Sequence, residues 1–366
     1  MIGEAARVVG GTAALVAGGW VLRALHGAPE SLGAADIGAA AKASPNYDDG
    51  VFVNREPASE VQLTRQQQWG LIRELITGGQ QPPGEIPLVR PTSTAPAGEL
   101  AVTWYGHSSA VIEVDGYRVL ADPVWSERCS PSRAVGPQRL HPVPVELEAL
   151  PAIDAVIISH DHYDHLDIDT IKGLARSQRA KFYVPLGIGS HLRLWGIPPD
   201  RIVELDWDES APLGDLTLVC TPARHFSGRF LTRNTTLWSS WAVIGPRHRA
   251  FFGGDTGYTE GFTGIGSEYG PFDLTLMPIG AYHPGWPDIH MNPEDAVRAH
   301  RDVTDTGLLV PIHWATFRLA PHPWSEPVER LLTAASAEGV TIAAPKPGQR
   351  VDAAVSGRPI DAWWRL

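Results

Sequence analysis

Ser159-His160-Asp161-His162-Tyr163-Asp164-His165-Leu166-Asp167 follows directly on the strand-forming run Ala155-Val156-Ile157-Ile158. A strand ending in imidazoles and carboxylates delivers them to the loop at a sheet edge, where they converge without breaking backbone pairing. The spacing His-x-His-x-Asp-His divides into two pairs, His160/His162 and Asp164/His165, one for each of two metal ions. Neutral imidazoles beside a carboxylate suit zinc, which takes nitrogen and oxygen ligands at roughly 2.0–2.2 Å. Iron or manganese accepts the same donors. A solvated polar loop is the bland alternative, and the strand context argues against it.

Three later side chains repeat that placement. His225 follows the apolar run at 216–220, Asp255 follows Ala250-Phe251-Phe252, and His313 follows the run at 308–312. A lone histidine at a strand end is more often structural than a ligand, but the whole set in this order is specific. The order His-x-His-x-Asp-His…His…Asp…His resembles the metallo-β-lactamase superfamily, over roughly residues 100–342.

Other segments narrow the resemblance. They are Trp104-Tyr-Gly-His-Ser-Ser-Ala, Asp122-Pro123, Gly136-Pro-Gln-Arg139, His225-Phe-Ser-Gly-Arg229, Leu237-Trp-Ser-Ser-Trp241, Asp255-Thr-Gly-Tyr258, Pro278-Ile-Gly-Ala-Tyr282 and Asn292-Pro-Glu-Asp-Ala296. Together they resemble the N-acylphosphatidylethanolamine-hydrolysing phospholipase D family. The glyoxalase and tRNA-processing branches place a glycine close behind the last motif histidine, where this chain has Leu166-Asp167.

The resemblance implies an αββα sandwich of two mixed sheets with helices outside. It implies two zinc ions, one held by His160, His162 and His225, the other by Asp164, His165 and His313, with Asp255 bridging. A hydroxide shared by such a pair would attack phosphorus and expel an alkoxide, releasing phosphatidic acid and an N-acylethanolamine. The same hydroxide attacks a carbonyl equally well, so hydrolysis of lactones or β-lactams is the alternative. A scaffold with a decayed site is disfavoured by the complete ligand set.

Around the ligands, imidazoles usually pass their second N–H to a carboxylate or carbonyl, which selects Asp122 and Asp161 as partners. His107 lines the site or serves as a turn histidine. Arg224, Arg229 and Arg233 cluster near His225 and face a phosphate head group or solvent. Tyr282, His283 and His290 belong to the loop that departs from the family pattern and are candidates for contact with substrate, exposed loop histidines being the plainer reading of His283 and His290. Animal members of that family carry an acidic residue and an arginine where His283 and Gly285 stand, and the loop to His290 is shorter here.

Composition fits a large globular unit: 366 residues, 43% hydrophobic, with 37 glycines and 32 prolines suited to many strands and turns. A net charge of −11 argues against a nucleic-acid partner. Cys129 and Cys220 offer no disulfide framework. Asn292-Pro293-Glu294-Asp295 predicts a helix start, and residues 326–338 followed by Gly339 predict another helix with its glycine stop.

The chain divides into an apolar N-terminal segment over 1–26, a linker and extension over 27–98, and the hydrolase domain over 99–366. Val8 to Leu22 is uncharged between Arg7 and Arg23. As a helix it reaches roughly 22 Å, against roughly 30 Å of hydrocarbon, and reads as a signal region, an interfacial anchor or a tail. A phospholipid substrate favours a membrane-associated or cell-envelope location over a cytoplasmic one. Within the extension, residues 62–78 carry apolar side chains at helical spacing.

Overall fold

The computed structural model describes residues 37–58, 63–67, 69–70, 73, 81–91, 96–229, 232–353 and 360–366. A hairpin of β1 (Tyr47–Asp48) and β2 (Val51–Phe52) comes first, then β3 (Leu100–Gly106), β4 (Ser109–Val114) and β5 (Tyr117–Ala121). Next are β6 (Ala155–Ile157), β7 (Lys181–Pro185), β8 (Ile202–Leu205), β9 (Ser210–Leu213) and β10 (Leu216–Thr221). The last are β11 (Ser240–Ile244), β12 (Arg249–Phe252), β13 (Leu274–Pro278), β14 (Leu308–Ile312) and β15 (Arg350–Asp352).

One sheet runs β15-β3-β4-β5-β6-β7-β8 and the other β14-β13-β12-β11-β10-β9. Both are mixed: β5 to β8 run parallel in the first sheet, and β12 to β14 in the second. The first sheet is apolar on both faces, and alternation along its strands sorts side chains between two cores. Val119, Ala121, Ala155, Ile157 and Tyr183 face the inter-sheet core. Their neighbours Leu120, Val156, Ile158, Phe182 and Val184 turn outward, under Ile171, Leu174, Ile188 and Leu192 of the helices Ile168–Ser177 and Ile188–Leu194. On the second sheet the helix Pro293–Val303 packs on β13, with Gly261–Tyr269 and Glu326–Glu338 beside it. The layers are those of the αββα sandwich expected from the sequence.

Both helix signals appear as read. Asn292 Oδ1 accepts from the Asp295 amide at 2.9 Å. Gly339 ends its helix at φ 68°, the left-handed conformation a glycine adopts at least cost.

Segments read as linker are built into this body. Phe52 is fully buried in the inter-sheet core, where Ile37, Ala41 and Ile86 join it. Ser44 Oγ and Asn46 Nδ2 donate to Asp206 at 2.5 and 2.8 Å. Small, polar composition misleads here because a single large apolar residue and a few hydrogen bonds suffice to dock the segment. Residues 65–67, 69, 70 and 73 are helical within the stretch read as an amphipathic helix, and Trp69 stands exposed. Among the described residues no helix is long and apolar enough to cross a membrane. The apolar stretch Val8 to Leu22 lies outside them.

Candidate metal centre

Four strands of the two sheets end at one place. The loop after β6 supplies His160, His162, Asp164 and His165, the turn past β10 supplies His225, and the loops after β12 and β14 supply Asp255 and His313. Ligand sites in α/β sheets form outside the carboxyl ends of parallel strands, which is the position β6, β12 and β14 occupy. Trp241 on β11 donates from Nε1 to the Ile158 carbonyl at 2.9 Å, tying the second sheet to the start of the histidine motif. The Asp255 loop crosses the motif so closely that a Cβ on Gly254 would lie 2.6 Å from Ser159 Cβ.

The side chains converge in two lobes. In one, His160 Nε2 lies 2.8 Å and His225 Nε2 3.4 Å from His162 Nδ1. In the other, Asp164 Oδ2 lies 3.4 Å from both His165 Nε2 and His313 Nε2. Asp255 Oδ2 stands between them, 3.0 Å from His313 Nε2, 3.2 Å from His165 Nε2, 3.8 Å from His225 Nε2 and 3.9 Å from His160 Nε2.

These residues fit metal ions. Asp255 Oδ1 is buried without a hydrogen-bond partner, which is costly unless something else binds it, and His165 Nε2 and His313 Nε2 meet only carboxylate oxygens, outside hydrogen-bond geometry. The His160 and His162 ring nitrogens facing each other at 2.8 Å share at most one proton, and a cation bound by both lone pairs would take its place.

The electrostatics agree. Burial, reinforced by the other imidazoles, holds His160 well below the ordinary histidine range. Burial does the same for His225, against the opposing charge of Asp255. Both are neutral and ready to bind metal. His313 is the reverse case: burial disfavours its charge, but Asp255 and Asp164 outweigh burial and raise it to about 9. His165 is likewise raised well above its usual value, by Asp255, Asp164 and Asp122 against burial. Burial pushes the Asp164 and Asp255 carboxyls up, yet the facing imidazoles win and hold both well below the usual range.

The surroundings sort the remaining candidates. Asp122 is fully buried, with Oδ2 2.7 Å from His165 Nδ1, and accepts from the Ser159 amide and hydroxyl. His107 Nε2 lies 2.8 Å from Asp164 Oδ2. His107, Asp122 and His313 all sit at positive φ, at 50°, 38° and 60°. For such residues this backbone costs about 1–3 kcal/mol each and persists where the surroundings over-determine it.

Asp161 takes a different part from the one expected. Its carboxylate turns away from the motif imidazoles, to His191 Nε2 at 3.3 Å and the Gly228 amide at 2.6 Å. Arg229 likewise does not face a head group. It is buried, donates to the carbonyls of Asp161 and Leu166, and lies between the rings of Tyr163 and Trp195. Arg233 stacks on Phe226, and Arg224 Nη1 donates to Asp288 at 3.0 Å. The three arginines therefore form no shared anion site. Asp161 and Arg229 instead lock the motif loop to the His225 loop.

A cavity of about 740 Å³ opens beside the centre, lined by Tyr258, Tyr282, His283, His290, His322 and Arg330 among others. His290 joins the two spaces, with Nδ1 3.7 Å from Asp255 Oδ2 and no hydrogen-bond partner. Burial holds it neutral, with a pKa of about 3. An exposed loop histidine was the plainer expectation, and the Trp286 to Ile289 turn brings it inward instead. His283 accepts from the Gly285 amide and packs at a tilt against Trp286, and Tyr282 donates to Glu326 at 2.6 Å.

Sequence reasoning passed over Asn54, which hydrogen-bonds His225 from 171 residues away, and the Ile289 carbonyl, which lies 2.9 Å from His225 Nδ1. No local pattern marks either contact. Ser159, inside the motif, bonds Asp122 and lies 2.9 Å from His160 Nδ1, and its place beside the first histidine was a usable signal.

A family model described as Beta-lactamase superfamily domain matches residues 117–314. Similar proteins include an uncharacterized protein of Mycobacterium tuberculosis, 64% identical with the whole of both chains covered. The N-acyl-phosphatidylethanolamine-hydrolyzing phospholipase D 1 of Caenorhabditis elegans is 41% identical over 230 residues, 60% of this chain and 64% of that protein. Among solved structures, the metallo hydrolase Igni18 of Ignicoccus hospitalis matches with a TM-score of 0.54 at 25% identity, covering 69% of this chain and 97% of that one.

Proposed function

We propose that this chain, which belongs to the metallo-β-lactamase superfamily and is one of its metal-dependent hydrolases, is a phosphodiesterase that cuts glycerophospholipids in the phospholipase D manner. N-acylated ethanolamine lipids are its substrate class. The observation that carries this reading is the likeness to the nematode phospholipase D, whose name states that chemistry.

In this reading His160, His162 and His225 would hold one divalent ion and Asp164, His165 and His313 the second, with Asp255 placed between the two lobes to serve both. Zinc is the favoured metal, with iron or manganese as substitutes. When bound, such a pair supplies a nucleophilic water at neutral pH and neutralises charge on phosphoryl oxygens. Asp122 orients His165, and His107 holds Asp164 by its 2.8 Å contact. His290 lies between the cavity and Asp255, so a substrate phosphate entering from the cavity meets its neutral imidazole. The lining cations are largely paired, Arg330 with Glu294 at 2.6 Å and Arg224 with Asp288 at 3.0 Å. The cavity therefore offers a balanced polar surface suited to a head group. A lipid substrate is reached at a bilayer, which makes a membrane surface the partner.

The test compares hydrolysis of bis(p-nitrophenyl) phosphate and a chromogenic cephalosporin by one metal-loaded preparation. Lipid extracts are then incubated with the enzyme and read by mass spectrometry. Phosphodiester turnover with release of N-acylethanolamine and phosphatidic acid supports the reading. Cephalosporin or lactone turnover with the phosphodiester untouched overturns it in favour of carbonyl chemistry.

A further inference from the structure

We propose that Asn54 is a positioning residue for the metal centre, a side-chain clamp that fixes the main chain of His225. The proposal rests on the reading of His225 as a ligand. Asn54 Nδ2 donates to the His225 carbonyl at 2.8 Å, and Asn54 Oδ1 accepts from the His225 amide at 3.1 Å. One amide thus satisfies both main-chain groups of a single residue, as a neighbouring strand would. His225 needs the substitute because it lies past the end of β10, beyond the last residue paired with β11.

The clamp is itself held. Asn54 Oδ1 also accepts from Trp238 Nε1 at 2.9 Å. Two residues earlier, the Phe52 amide donates to the Asn234 carbonyl at 2.7 Å, and the Phe52 ring is fully buried. Three residues later, the Pro57 carbonyl accepts from Arg224. With the Asn54 amide on the backbone and the Ile289 carbonyl at Nδ1, little freedom remains to His225, and Nε2 is aimed at the lobe of His160 and His162. Asn54 lies well outside residues 117–314, so a segment beyond the matched domain completes the centre. Aspartate at this position accepts without donating, and an aliphatic residue does neither.

The variants Asn54→Ala, Asn54→Asp and Ser44→Ala separate positioning from plain stabilisation, because Ser44 ties the same segment to Asp206, away from His225. Metal-free protein is titrated with zinc against a chromophoric chelator, and main-chain exchange is followed in peptides covering His225. Loss of an outer partner typically weakens metal binding 10–100-fold. Asn54→Ala is expected to weaken one of the two zinc constants by about that factor and spare the other, with Asn54→Asp intermediate. The His225 amide should exchange about 2–10-fold faster in Asn54→Ala, the equivalent of one lost hydrogen bond. Ser44→Ala should lower Tm without moving either zinc constant. Wild-type zinc constants and wild-type exchange at His225 in Asn54→Ala overturn the clamp, as does an equal zinc loss in Ser44→Ala. If the wild type takes up no zinc, the ligand reading fails by itself, and exchange at His225 still decides the clamp.

Discussion

Asp122 and His165 form a fully buried pair in which the carboxylate Oδ2 lies 2.7 Å from the imidazole Nδ1. The pairing leaves Nε2 as the donor atom aimed at Asp255, 3.2 Å away. Asp122 holds this position from a backbone φ of 38°, and the Ser159 amide and hydroxyl occupy the rest of its carboxylate. Asp122→Asn keeps the size but removes the charge and one acceptor. Affinity for one ion should fall about 10–100-fold with the fold intact. Zinc titration checks this, and an unchanged affinity would mean that Asp122 serves packing alone.

The charge balance predicts how metal uptake depends on pH. In metal-free protein burial opposes the charge on His313, but Asp255 and Asp164 raise its pKa to about 9. Below that value a bound ion must expel the proton, so apparent affinity rises as pH rises and levels off above about 9. One displaced proton gives up to about tenfold per pH unit. His165, raised by the same carboxylates against burial, adds to the slope. Calorimetry in buffers of different ionisation enthalpy should register proton release at pH 7. Uptake with no proton release contradicts the charge assignment.

Trp241 Nε1 bridges the two sheets at the Ile158 carbonyl, two residues before His160. Trp241→Phe leaves that carbonyl without its partner, at a cost of about 1–3 kcal/mol. Chemical denaturation should show the loss, and the fold should survive at moderate temperature. A stability within about 0.5 kcal/mol of wild type would show that the bridge contributes little.

Much of the centre was legible because its signals are local. A strand run followed at once by His160, His162, Asp164 and His165 advertises both the element and the chemistry, and His225, Asp255 and His313 repeat it. Contacts that depend on chain folding were not legible. Asn54 reaches His225 across 171 positions from a segment whose composition reads as linker, and the burial of Phe52 with the Ser44 and Asn46 hydrogen bonds to Asp206 shows that it docks. Asp161 and Arg229 carry charges near the motif, which suggested contact with ligands or phosphate. Side-chain direction decided otherwise: the Asp161 carboxylate meets His191 and the Gly228 amide. Arg229 had two carbonyls and two rings within reach, which held it inside the protein. His290 was ambiguous for the opposite reason: an ordinary loop histidine becomes part of the centre only through the turn that carries it.

Metal content of purified wild type and of Asp255→Asn tests the central claim most directly. Asp255 Oδ2 lies within 3.0–3.9 Å of His313, His165, His225 and His160, so one substitution disturbs both lobes. The account predicts about two divalent ions per wild-type chain, a joint loss of both in Asp255→Asn, and hydrolysis falling with them. A wild-type chain without metal, or an Asp255→Asn protein retaining two ions and full activity, would contradict it.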